Sequence, residues 1–136
     1  MKIKRRDFII LTTTFVAGCG STENIGRPAS AEQRVVNAGP VSHYAADGVY
    51  AAFSHQGFFI VRRNGKLFAL SAICTHKKCK LKSETDHSFY CPCHGSSFDP
   101  EGHAKVGPAK RDLPIFTTVV DEHGQFLVTV PSGASR

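Results

Sequence analysis

The sequence contains no tryptophan, no internal repeat and no stretch of helical length in which apolar residues recur every three or four positions. Without that periodicity a helix bundle is not expected. Glycine and proline are plentiful instead, with 12 and 7 residues. This composition is typical of a strand-rich and loop-rich chain, so we predict an all-β fold. The length of 136 residues favours a single domain.

A strong excess of one charge is also missing from the main part of the chain. The formal net charge is +6, but four of the 17 cationic residues lie in the first six positions. Without residues 1–18, 13 cationic and 10 acidic residues remain, which is an ordinary balance. No basic run is interleaved with aromatic residues, so nucleic acid is not an expected partner. No acid pair or glycine-rich segment suggests a separate catalytic apparatus.

A long hydrophobic run is missing as well. Phe8–Ala17 is apolar but includes three threonines, and it supplies about ten of the ~20 apolar residues that a membrane-spanning helix needs. It follows the basic Lys2–Arg6, so residues 1–18 are predicted to be an export signal. Arg5-Arg6 resembles a twin-arginine signal, which directs folded proteins to export. The alternative is the general export pathway.

The end of this segment resembles a lipobox. Val16-Ala17-Gly18 precedes Cys19, which predicts acylation of that cysteine and attachment to the membrane through a lipid anchor. The alternative is a small-residue cleavage site with an incidental cysteine. Residues 19–33 are rich in Ser, Gly and Asn and are predicted to form a flexible tether. The expected location is therefore the cell envelope, on its periplasmic face.

The remaining chain has the pattern of short strands joined by turns. Asn64-Gly65 is the strongest short hairpin signal, and Asp99–Gly102 has the composition of a turn. The strand that follows Asn64-Gly65 leads directly into Cys74. The predicted strands are Arg34–Ala38, Gly57–Arg62, Lys66–Ala72, Ser88–Tyr90, Leu113–Val120 and Gln125–Val130.

Two short segments carry most of the metal-binding residue types. Cys74-Thr75-His76 occupies one, and Cys91 and His94 occupy the other. Two thiolates and two imidazoles suit either a structural zinc ion, which takes four such ligands, or an iron–sulfur cluster. Four residues of these types in two tight groups make a coincidence the weakest alternative. The single residue between Cys74 and His76 is closer than zinc spacing usually allows.

The surrounding motif resembles the Rieske iron–sulfur family. Cys91–Ser96 has the form of the family's second box, and Cys74–Cys79 has the spacing of the first. Gly107-Pro108-Ala109 resembles the proline loop that covers the cluster. The resemblance extends from about Arg34 to Val130.

The resemblance implies a Rieske-type antiparallel β-sandwich or barrel with a small subdomain of two cluster-binding loops. The domain is expected over residues 34–131, with 132–136 as a C-terminal tail. One [2Fe–2S] cluster is implied, with two ligands on each iron. The implied ligands are Cys74 and Cys91 on one iron and His76 and His94 on the other.

Other positions also acquire roles from the resemblance. Cys79 and Cys93 correspond to a disulfide that joins the two loops in the cytochrome bc branch, with two buried free thiols as the alternative. Ser96 is implied to donate a hydrogen bond to a bridging sulfide, and Pro108 to lie over the cluster. Ring-hydroxylating oxygenases lack the cysteine pair, so this chain is not expected to be an oxygenase itself.

The chain departs from the quinol-oxidising pattern in two places. Lys77-Lys78 replaces a Leu-Gly pair, and Phe98 replaces a tyrosine. Loss of the tyrosine hydroxyl forfeits a hydrogen bond worth about 1.5–3 kcal/mol, or roughly 65–130 mV for one electron. Each exposed lysine would stabilise the reduced cluster by only ~0.2–1 kcal/mol, which would raise the potential slightly. We therefore predict a potential below the quinol-oxidising class and above plant-type ferredoxins.

The predicted function is electron transfer between protein partners, a cytochrome or the large subunit of an oxidase. The Ser96–Pro100 stretch and the export signal resemble small subunits of periplasmic molybdenum oxidases such as arsenite oxidase. A Rieske subunit of a cytochrome bc complex is another possibility, and a zinc module is the non-redox alternative. Four lysines after His76 suggest steering of an acidic partner, although a solvated basic loop is equally compatible: Lys77, Lys78, Lys80 and Lys82.

Overall fold

The computed structural model describes residues 32–134 of the chain. The predicted export signal and Cys19 lie outside the described residues, as does most of the predicted tether. The described residues form ten strands: β1 (Arg34–Pro40), β2 (Gly48–Tyr50), β3 (Phe58–Arg63), β4 (Lys66–Ser71), β5 (Lys82–Ser83), β6 (Phe89–Tyr90), β7 (Ser97–Phe98), β8 (Ala104–Val106), β9 (Ile115–Val120) and β10 (Gln125–Val130). Two short 3-10 helices, Val41–Tyr44 and Ala51–Gln56, complete the regular structure of this part. None of its helices is both long and apolar enough to cross a membrane.

The strands form two antiparallel sheets. The larger has six strands in the order β1-β10-β9-β4-β3-β2, and the smaller has four in the order β5-β6-β7-β8. The small sheet is inserted between β4 and β9, which are neighbours in the large sheet. The predicted all-β, antiparallel architecture is confirmed.

The hairpin predicted at Asn64-Gly65 is present. Arg63 pairs with Lys66, which leaves two residues in the turn. Both have positive φ, 51° for Asn64 and 76° for Gly65. This is the turn geometry that matches the twist of paired strands, and Asn-Gly adopts it readily. The turn places β4 so that it runs toward Cys74.

Alternate side chains of β3 point into two different hydrophobic cores. Phe58 and Ile60 point into one, and Phe59 and Val61 point into the other. Side chains of a strand alternate between faces, so one apolar strand serves both. Phe59 stacks on Phe89 of the small sheet, with ring centroids 5.0 Å apart. The small sheet is thereby packed onto one face of the large one.

The structure adds elements that the sequence did not signal. β2, β5 and β8 have two or three residues each, and the two 3-10 helices lie between predicted strands. The chain after β10 also turns back, and Ala134 packs against the core. A Cβ on Gly57 would lie 1.8 Å from the Ala134 carbonyl oxygen. That residue is therefore part of the packed domain.

Candidate metal centre

The loop between β4 and β5 carries the first pair of predicted ligands. The Cys74 N–H donates to the Cys79 carbonyl at 2.8 Å, and the Lys78 N–H donates to the Cys74 carbonyl at 3.0 Å. A bridge between Ile73 and Lys80 closes the base of the loop. These contacts turn Cys74 inward, and it is only 1% exposed.

The loop between β6 and β7 repeats this arrangement. The Cys91 N–H donates to the Ser96 carbonyl, and the Gly95 N–H donates to the Cys91 carbonyl. In both loops the cysteine therefore bonds to the residues four and five positions later. The fourth position after the cysteine has positive φ in each, 57° at Lys78 and 80° at Gly95. Lysine at a left-handed position is uncommon and costs some stability.

The two loops are joined by a disulfide between Cys79 and Cys93, with 6.5 Å between their Cα atoms. The predicted pairing is confirmed. Cys74 and Cys91 are free and buried. The sulfurs of Cys79, Cys91 and Cys93 lie within 4.8 Å of one another. Because two of them are bonded to each other, that trio offers only the Cys91 thiol as a metal ligand.

The free thiols belong to the same buried core as Phe59, Phe89 and Phe98. Burial raises the pKa of the Cys91 thiol above its usual value, and the neighbouring Cys74 adds to the increase. A thiolate in such a place needs a compensating positive charge. A metal ion supplies one, since coordination deprotonates a thiol.

The two predicted histidine ligands come together at the loop tips. The ring centroids of His76 and His94 are 4.9 Å apart, and the rings are nearly perpendicular at 88°. His76 is half-buried and His94 is exposed. The Nδ1 atom of His76 is buried and has no hydrogen-bond partner within residues 32–134. An unpaired buried nitrogen is costly, and metal coordination would satisfy it.

These observations fit a metal centre with mixed ligands. The two loops supply two buried thiols and two neighbouring imidazoles. The set suits a diiron cluster in which histidine replaces cysteine on one iron. The donor types alone would also suit zinc.

A third segment, residues 107–111, packs against both loops. The Ala109 N–H donates to Ser96 Oγ at 3.1 Å, and Thr75 Oγ1 donates to the Arg111 carbonyl at 2.7 Å. Ser96 is fully buried, and its oxygen is an acceptor in this bond. Its hydroxyl proton therefore remains free to donate elsewhere. Pro108 is exposed and lies between Gly107 and Ala109. Gly107 approaches the second loop so closely that a Cβ there would lie 2.6 Å from the Ser96 Cα.

Sequence reasoning missed how this segment is held. His103 Nδ1 lies 2.9 Å from Asp112 Oδ2, and Asp112 Oδ1 accepts the Ala104 N–H. The Leu113 N–H donates to the Gly102 carbonyl. These three contacts tie residues 112 and 113, which follow the segment, back to residues 102–104 between β7 and β8. An acid and a histidine nine positions apart gave no local signal for this pairing.

The hydrogen bond to Asp112 raises the pKa of His103, and the same bond lowers the pKa of Asp112. Burial alone would raise the pKa of Asp99, but hydrogen bonds from His103 and its neighbours lower it. Asp99 accepts the backbone N–H groups of Glu101 and His103. The carboxylate thus closes the turn that composition predicted at residues 99–102.

Comparison with known proteins places this arrangement in a family. The model of the Rieske [2Fe-2S] domain matches residues 33–117. A cytochrome b6-f complex iron-sulfur subunit of the chloroplast of Bigelowiella natans is 34% identical over 81% of this chain and 44% of its own length. A putative respiratory nitrate reductase subunit Rieske from Haloferax mediterranei is 40% identical over 45% of this chain and 29% of its own length.

A solved structure agrees with these matches. The cyanobacterial plasma membrane Rieske protein PetC3 from Synechocystis PCC 6803 is 32% identical, with a TM-score of 0.53. The match covers 68% of this chain and 97% of that one. The chain spans about half the length of the curated relatives it matches. The match to the family model covers more than half of the residues, and the chain belongs to the Rieske [2Fe-2S] domain family.

Proposed function

We propose that this protein transfers single electrons through one [2Fe–2S] cluster. Cys74 and Cys91 hold one iron, and His76 and His94 hold the other. The single observation that carries this assignment is the buried Nδ1 of His76, which has no partner within residues 32–134 and lies beside the His94 ring, in loops that also carry two free buried thiols. When bound, a Rieske cluster accepts and returns one electron, at a potential of about −150 to +300 mV.

The proposed site has one side that is shielded from water and another that is accessible to a partner. The buried thiols keep their iron away from water, and the exposed His94 leaves the other side open to a partner. The disulfide and the 107–111 segment hold the two loops in fixed relation. Neutral imidazoles in place of two thiolates reduce the negative charge of the site, which favours uptake of an electron.

The proposed partners are redox proteins that approach the loop tips. Relatives named as subunits of a cytochrome b6-f complex and of a respiratory nitrate reductase support a cytochrome or an oxidoreductase large subunit as donor or acceptor. A small subunit of a periplasmic molybdenum oxidase is the more specific alternative. It draws support from the export signal and Ser96–Pro100.

We further propose that the protein is exported and held at the membrane by acylation of Cys19. The support is the Arg5-Arg6 pair, the apolar stretch and the lipobox-like sequence before that cysteine. A named relative at the plasma membrane is compatible with this location. Residues 19–33 then act as a tether for the domain at 34–131, and the tail at 132–136 follows it, with Ala134 packed against its core.

The ligand assignment is tested by two matched histidine variants. His76→Ala removes the unpartnered ring, whereas His123→Ala removes an exposed ring in the β9–β10 turn. We expect the first to lose the cluster and the second to keep it. The measurements are iron and inorganic sulfide content and the electron paramagnetic resonance spectrum of the reduced full chain. Zinc without sulfide in the unaltered protein would contradict the proposal.

A further inference from the structure

We propose that the loops around the metal centre form a docking surface for an acidic protein partner. This inference rests on the proposed electron-transfer function and names the chemistry of the partner. The surface, called the cationic rim below, consists of Lys77, Lys78, Lys80, Lys82, Lys110 and Arg111, all exposed.

Four of the six rim residues are placed beside the site by the contacts described above, whereas Lys80 lies at the base of the first loop and Lys82 in β5. Lys77 and Lys78 lie at the tip of the first loop, between His76 and the disulfide. Lys110 lies between Ala109, which bonds to the second loop, and Arg111, which bonds to the first. The rim therefore includes parts of the chain 30 or so positions apart in sequence, brought together by the 107–111 segment.

These cations have no acidic neighbour to neutralise them. Within residues 32–134, none of the six lies within 4.0 Å of a carboxylate, whereas Arg62, Arg63 and Lys105 each face one. Arg63 Nε is 2.6 Å from Glu101 as an ion pair whose angle is outside hydrogen-bond geometry. The rim cations are thus unpaired, whereas three of the five other lysines and arginines in residues 32–134 face a carboxylate.

The segments that build the loop tips also lack acidic residues altogether. No Asp or Glu occurs in residues 72–83, 91–98 or 105–111. A surface with mixed charges would carry both acidic and basic residues in segments of this length. A cluster of one sign focuses its field on the exposed His94 edge and raises the local concentration of an anionic partner. Complementary charge of this kind chiefly increases the association rate.

A protein fits the rim better than a lipid surface does. Lys77 and Lys78 directly follow His76, and Lys110 and Arg111 belong to the segment that is bonded to both loops, one of which carries the exposed His94. An anionic bilayer seated on the same face would cover that edge and exclude both donor and acceptor. An acidic protein seated there brings its own redox centre close to His94.

The first test measures how the positive charge of the cationic rim affects oxidation of the centre by two small oxidants of opposite charge. The reduced full chain is mixed with ferricyanide, a trianion, or with tris(phenanthroline)cobalt(III), a trication, and the oxidation rate is followed. We expect the ferricyanide rate to fall with ionic strength and the cobalt rate to rise. In Lys77→Glu/Lys110→Glu the rate ratio of the two oxidants should fall by roughly tenfold.

Lys66→Glu is the matched control, because Lys66 is an exposed cation beside the Asn64-Gly65 turn, at the start of β4. It should leave the ratio of rates close to that of the unaltered chain. Spectrum and midpoint potential are recorded for all variants, so loss of the cluster is distinguished from loss of docking. Equal ratios in both variants, or rates independent of ionic strength with an intact cluster, would overturn the proposal.

The second test identifies the occupant. Poly-L-glutamate should bind the chain at low ionic strength, slow its oxidation by ferricyanide, and do neither with Lys77→Glu/Lys110→Glu. The chain, carrying Cys19→Ala to prevent acylation, is also mixed with vesicles of phosphatidylglycerol and phosphatidylcholine. Rim-dependent binding to the vesicles without binding to poly-L-glutamate would assign the surface to lipid and overturn the protein partner.

Discussion

Phe98 lacks the hydroxyl group that a tyrosine at this position would carry. The residue is 1% exposed and lies in the same core as Cys74 and Cys91, where its ring offers no hydrogen-bond donor. A hydroxyl on this ring that reached a ligand sulfur would stabilise the reduced form by about 1.5–3 kcal/mol. We therefore expect Phe98→Tyr to raise the midpoint potential by roughly 65–130 mV.

A redox titration of the loaded full chain measures this change. Phe53→Tyr is the control, because Phe53 contacts the other core and stacks on Phe58. It should leave the potential where it was. A Phe98→Tyr protein that keeps its cluster at an unchanged potential would show that no ligand sulfur lies within reach of the ring.

At the scale of elements, the segment 107–111 depends on a glycine. Gly107 has a φ of +95°, and a Cβ there would lie 2.6 Å from the Ser96 Cα and 2.9 Å from the Gly95 carbonyl oxygen. These are backbone atoms of the second loop and cannot move aside alone. We expect Gly107→Ala to displace the segment, break the Ala109–Ser96 bond and lower the retention of iron and sulfide.

Gly124→Ala separates this crowding from backbone strain. Gly124 has a φ of +74°, but a Cβ there would meet nothing within 4 Å. Gly124→Ala should lower the free energy of unfolding only through the strain of the left-handed conformation, by about 1–2 kcal/mol. Urea unfolding measures this change. The variant's cluster content should remain normal. Equal loss of the cluster in both variants would show that strain, rather than contact with the second loop, explains the effect.

Local signals made the longer strands, the hairpin turn and the backbone form of the second loop predictable from sequence. Asn64-Gly65 forms its turn with its own dihedral angles, and Cys91–Ser96 forms its loop with its own backbone bonds. The contact of Thr75 with Arg111 joins residues 36 positions apart, and neither type requires the other. Strands such as β5 have two residues and exist only because a neighbour pairs with them. Such contacts arise from tertiary packing, which overrides local preference.

At the scale of the whole molecule, charge is distributed unevenly. The cationic rim lies on the segments that form and flank the two loops, whereas several carboxylates within residues 32–134 lie in turns, where they accept backbone N–H groups. Asp121 closes the β9–β10 turn in this way, and Asp99 closes the turn before β8. Several acidic residues in the described domain thus serve local structure, and none lies within 4.0 Å of a rim cation.

The pair of His103 and Asp112 links the stability of the whole molecule to pH. The pKa of His103 is raised by Asp112, so its stabilisation is present below its ordinary pKa of 6.5 and is lost as pH rises through the raised value. The pKa of Asp112 is lowered, so its stabilisation is present above 3.8 and is lost as pH falls through the lowered value. The pair therefore stabilises the fold most in the acidic range between these limits.

We expect Asp112→Asn to remove this pH dependence while its amide oxygen still accepts the Ala104 N–H. Urea unfolding midpoints of the full chain, taken from about pH 4 to about pH 9, should differ from those of the unaltered protein mainly at the acidic end. Glu122→Gln is the control, because Glu122 faces His123 at 3.5 Å on an exposed turn. Its profile should follow the unaltered one, and a difference for Asp112→Asn that is constant across pH would assign the effect to packing rather than charge.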